Sequence, residues 1–116
     1  MEVGASAELT RTFSRAEVEA LSHLAGTGVR ENVPEPLIGG MISCLLGTRL
    51  PGHGTNWLKQ DLQFLEAVPI GAELTARVEV TRVRPEKSLI DLWASVRTAG
   101  GTLVCEGRSL VLARGR

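Results

Sequence analysis

Net charge is missing from this chain: thirteen Lys and Arg balance thirteen Asp and Glu across 116 residues. No net field therefore draws it to nucleic acid or to an anionic membrane surface. Cysteine is scarce as well. Cys44 and Cys105 sit in apolar runs without metal-ligand spacing, and both read as buried thiols in a reducing compartment. No charged-then-apolar leader opens the sequence, and no apolar run approaches a bilayer span. Internal repeats, low-complexity tracts and linkers are absent too. The expectation is therefore a single cytoplasmic domain over residues 1–116. A chain of this length buries roughly two thirds of its unfolded surface without a disulfide or metal staple.

The periodicity supplies the elements. Ala7 to Phe13 predicts a short strand. Ser14 with Glu17 three residues on is a capping box, and Val18, Leu21 and Ala25 then recur at helical spacing until Gly26. The stretch 26–41, GTGVRENVPEPLIGGM, begins as a loop rich in Gly and Pro and runs directly into the most apolar part of the chain, LIGGMISCLLG. A second helix is expected over Pro36 to Thr48, where Leu37, Ile38, Met41, Ile42, Leu45 and Leu46 cover nearly the whole circumference, as on an enclosed helix. Gly39 and Gly40 each cost such a helix about 1 kcal/mol against Ala, so something must approach closely there or need bare backbone.

After a turn at Leu50 to Gly54 the period becomes two. Leu58, Leu62 and Phe64 are expected on one face of a strand from Thr55. Leu74, Ala76, Val78 and Val80 alternate in the next, and Ile90, Leu92, Ala94 and Val96 in the one after. Turns fall at 69–72, 84–87 and 99–101, and Thr102 to Ala113 makes the last strand. The order β-α-α-β-β-β-β is that of an α+β domain whose sheet wraps a helix.

Leu45-Leu46-Gly47, Leu50-Pro51-Gly52-x-Gly54, the Gln60-x-Leu62-x-Phe64 strand and the Arg84-x-x-Lys87 turn together resemble the hotdog-fold MaoC-like family, which includes (R)-specific enoyl-CoA hydratases. The likeness runs from about Leu45 to Leu112. It implies a long helix wrapped by a curved antiparallel sheet, a homodimer, and acyl thioesters of coenzyme A or an acyl carrier bound at the subunit boundary, with no other cofactor and no metal. Hydratases of this family carry a loop reading roughly G-D-x-N-P-x-H, which supplies acid and base. Here Ala25-Gly26 matches its beginning, Thr27 stands where the aspartate belongs, Asn32 and Pro34 flank an extra Val33, and no histidine follows. The loop is shorter by about a dozen residues, so the fold and thioester class carry over and that dyad does not.

Candidates to replace the dyad are Glu35, Glu31, Asn32 and His23, the last being the histidine nearest the loop. Substrate contacts are expected from Gly39, Gly40, Ser43, Asn56 and Trp57. Each has a plainer role open to it: helix-terminal electrostatics for the glutamates, packing for the glycines, a back-bond one turn up for Ser43, core or interface packing for Trp57. His53, in its Gly-flanked turn, reads as solvent-exposed. Arg77, Arg82, Arg84 and Lys87 fit either a nucleotide phosphate or a solubilised strand edge. Three functions stay open: a hydratase or dehydratase with a rearranged site, a thioesterase, and a non-catalytic acyl-thioester binder partnering an active homologue.

Overall fold

The computed structural model describes residues 2–25, 31–52 and 54–113, with the side chains of residues 24 and 25 left aside. Gly26, Thr27 and His53 lie outside the described residues. The elements are β1 (Ser6–Thr12), α1 (Arg15–Ala25), α2 (Glu35–Thr48), β2 (Thr55–Phe64), β3 (Glu73–Arg84), β4 (Leu89–Thr98) and β5 (Leu103–Ala113). Their order and bounds follow the periodicities closely. The capping box forms as expected: Ser14 N–H donates to Glu17 Oε1 at 3.1 Å, and Glu17 N–H donates to Ser14 Oγ at 3.2 Å. The bond from the Ser14 backbone, with the Arg11 guanidinium nearby, holds the Glu17 carboxyl below its ordinary value.

Among the described residues the strands form one five-stranded antiparallel sheet in the order β1-β3-β4-β5-β2. Its register stacks Val80 on Leu92 on Ser109, Val78 on Ala94 on Gly107, and Ala76 on Val96 on Cys105. Directly paired residues share a face, so these rows make one continuous inner surface. Ile38, Met41, Ile42, Leu45 and Leu46 of α2 complete the core over it, each buried. This is the hotdog architecture, helix inside and sheet around it.

Two expectations are corrected. Helix α2 is not enclosed on every side, and Cys44 is exposed whereas Cys105 is buried. Gly40, Cys44 and Thr48 recur every four residues and make an exposed stripe, so an apolar neighbourhood in sequence did not mean burial. The second correction lies in β2. A bulge between Trp57 and Lys59 shifts the pairing with β5, and the extra residue inverts which side chains face inward. Trp57, paired with Val111, joins Gln60, Leu62 and Phe64 on the helix side, while Leu58 is turned out and 54% exposed.

Candidate active site

The inner face of β2 and one side of α2 do not meet completely. Between them lies a cavity of about 470 Å³ lined by Glu35, Pro36, Gly39, Gly40, Ser43, Trp57, Gln60, Leu62 and Phe64, within the size range of small-ligand sites. The sequence explains the gap. A side chain at either glycine would narrow it: a Cβ on Gly39 would come within 4.0 Å of Leu62 Cδ1, and one on Gly40 would meet nothing within 4 Å. Of the two roles open to this pair, the second is the one with space in front of it: bare backbone opens onto the cavity rather than packing tightly against a strand.

The groove has a direction. The chain turns back between α2 and β2, so the start of the helix lies beside the end of the strand. Gly39 sits over Leu62, and the Glu35 charge helps push up the thiol of Cys105, the residue paired with Phe64. Glu35 and Phe64 thus mark one end, the glycines and Leu62 the middle, and Ser43, Gln60 and Trp57 the other. The polar groups are few. Ser43 Oγ donates to the Gly39 carbonyl at 3.4 Å, the back-bond anticipated for it, and Gln60 Nε2 donates to the buried Ser109 Oγ at 3.1 Å. Glu35 is the one titratable group among the lining residues.

The expected site residues divide accordingly. Glu35, Gly39, Gly40, Ser43 and Trp57 are brought together around the cavity, while Glu31, Asn32, His23 and Asn56 are not among its lining residues. Glu31 is exposed and paired with Arg15 at 2.9 Å. Asn32 bridges to Pro69 through its backbone, and His23 is exposed in the last turn of α1. Asn56 pairs with Leu112 on the opposite face of β2, because alternation sends it away from Trp57. Gln60 joins the wall although it stood in the sequence only as part of a strand motif.

The arginines weighed for a nucleotide phosphate are partly committed elsewhere. Arg77 pairs with Glu79 at 2.8 Å. Arg84 Nη2 donates to Asp91 Oδ2 at 2.6 Å, and Arg108 Nε donates to Oδ1 at 2.8 Å. Asp91 is only 2% exposed. Burial alone would raise its carboxyl, but the bonds from Arg108 and Arg84 outweigh that and hold it below the ordinary range. Cys105 has no such compensation. Burial first, then the charges of Glu35 and Glu106, push its thiol up to about 11.

No protein-family model matches the chain. Individual proteins do. An (R)-specific enoyl-CoA hydratase of Aeromonas caviae is 35% identical, with 96% of this chain and 94% of the relative aligned. The alignment is 126 positions long, more than the 116 residues of this chain, so the relative carries residues without a counterpart here. An (R)-specific enoyl-CoA hydratase of Rhodospirillum rubrum is 33% identical over 97% of this chain and 88% of its own. The solved structure of an (R)-hydratase from A. caviae superimposes with a TM-score of 0.89 at 36% identity, covering 97% of both chains. With sequence and architecture agreeing over nearly the full length, this chain belongs to the (R)-specific enoyl-CoA hydratase family of hotdog proteins.

Proposed function

We propose that the chain hydrates enoyl thioesters, or dehydrates their 3-hydroxy counterparts, with Glu35 as the proton-transferring group of a rearranged site. The observation that carries this reading is the placement of a single carboxylate on an otherwise neutral, mostly apolar cavity beside a helix N-terminus. Hydration needs a base to take a proton from water as its oxygen bonds to C3, a proton delivered to C2, and donors to hold the enolate oxygen. Glu35 supports the first role and, once protonated, the second. The donors for the third are sparse at the head of α2. Pro36 has no N–H, and the Leu37 N–H is taken by the Pro34 carbonyl at 3.0 Å. A slow enzyme is the consequence.

The substrate on this reading is an acyl thioester of coenzyme A or a carrier protein, and the chemistry calls on no further cofactor. The working form is a homodimer in a reducing cytoplasm. The test is a hydratase assay with crotonyl-CoA and longer enoyl-CoAs, following loss of enoyl absorbance. Glu35→Gln keeps the shape and removes the charge, and is expected to lower turnover by about a hundredfold or more with acyl-CoA affinity within a few-fold. Glu31→Gln, off the cavity, is expected to leave turnover unchanged. Full activity in Glu35→Gln would overturn the assignment. Acyl-CoA binding without turnover in the unaltered protein would instead make the chain a binding subunit for an active homologue.

A further inference from the structure

The far end of the cavity offers hydrogen bonds that a hydrocarbon tail leaves unmade. We propose that the site takes acyl thioesters whose tail carries a neutral polar group, a hydroxyl or carbonyl, at its distal end, held by Gln60 and Ser43. This deepens the preceding reading, since it rests on an acyl thioester lying in the groove with its reacting carbons at Glu35.

Distance makes the polar end distal. Glu35 and Ser43 lie eight positions apart on α2, which at the helical rise separates them by roughly 12 Å. Between them the wall is Gly39, Gly40 and Leu62, with nothing to hold a polar group. A medium-length acyl chain running down this channel reaches Ser43 and Gln60 with its last atoms.

Chemistry makes that end selective. Ser43 Oγ spends its hydrogen on the Gly39 carbonyl, so toward a ligand it is an acceptor. Gln60 spends one amide hydrogen on Ser109 Oγ, which fixes the side chain and leaves its carbonyl oxygen and its second N–H. Two acceptors and one donor match a hydroxyl, which both donates and accepts, and the donor serves a carbonyl. No charged side chain stands at this end among the lining residues, so an anionic tail gains no ion pair. A methyl terminus would displace water from Gln60 and Ser43 without replacing its bonds. Sites built to hydrogen-bond a ligand discriminate strongly against analogues that lack the group, because their own polar atoms are left unpaired.

Binding of octanoyl-CoA and ω-hydroxyoctanoyl-CoA, measured by titration calorimetry on the full chain, tests this. The hydroxylated ligand is expected to bind about tenfold tighter, the worth of one good hydrogen bond. Gln60→Leu should remove or reverse that preference while octanoyl-CoA binds as well or better. Ser109→Ala, which frees the Gln60 amide without touching the cavity wall, should reduce the preference with octanoyl-CoA affinity unchanged, and so covers the case in which Gln60→Leu does not fold. Equal affinities in the unaltered protein, or a preference that survives both substitutions, overturn this inference alone. Failure of both ligands to bind overturns it together with the proposed function.

Discussion

Gly40 shows how one missing side chain separates stability from binding. It lies inside α2, where glycine costs about 1 kcal/mol against alanine, yet a Cβ there would touch nothing within 4 Å. The space in front of it is the cavity, so a substituent grows into ligand volume and not into protein. Gly40→Ala is therefore expected to raise the unfolding free energy by up to about 1 kcal/mol. Gly40→Val should keep the fold and weaken acyl-CoA binding at least about tenfold. Thermal melts and calorimetry on the same samples check both. Unchanged acyl-CoA affinity in Gly40→Val would place the ligand elsewhere.

At the scale of elements the test case is Asp91, held between Arg84 and Arg108 as strands β3, β4 and β5 converge. Its carboxyl titrates below the ordinary 3.8 when folded and at about that value when unfolded. The stability it confers is fully present above that pH and is lost as pH falls through the depressed folded value. Asp91→Asn is expected to cost about 2–3 kcal/mol at neutral pH, less than a fully buried pair because Arg108 is half exposed. The variant should also flatten the acid limb of a stability profile below about pH 3.8. An acid limb unchanged by the substitution would remove Asp91 from the account. None of this was legible beforehand. Alternation of Ile90, Leu92 and Ala94 places Asp91 on the outer face, and only cross-strand register reveals the two guanidiniums that close over it. The same limit explains β2, where regular alternation grouped Leu58 with Leu62 because one extra residue at a bulge leaves no periodic signature. Strands β3 and β4 and the capping box were legible because each is decided by residues a few positions apart. That Glu35, the glycine pair and Ser43 stand close together was legible for the same reason, all lying on one helix. Gln60 joins the cavity wall only where β2 faces that helix, with Ser109 of β5 holding its amide.

At the scale of the whole molecule the margin of the sheet decides assembly, since among the described residues no strand pairs with the outer side of β2. The strand order leaves β1 and β2 at the margins of the sheet, and β2 is ten residues long with Trp57 49% and Leu58 54% exposed. An unpaired edge of that length with apolar side chains beside it is a template for pairing. A second copy meets that need most economically, since a two-fold axis lets the same edge serve both partners and joins the two sheets into one. Such pairing sets the partner along the open side of the groove, where Glu35 and Pro36 at one end, Gly40 in the middle and Trp57 at the other are exposed. The expected assembly is a homodimer burying on the order of 1,600 Å² in total, seen as twice the chain mass by light scattering at micromolar concentration. Leu58 is the place to break it, because the bulge turns it outward at that edge and away from the core. Leu58→Lys, a charge of the kind that guards natural sheet edges, should give a folded monomer whose acyl-CoA binding is weakened with the loss of the partner's cover. A clean monomer of the unaltered chain that binds acyl-CoA normally would show that the cavity is complete within one copy.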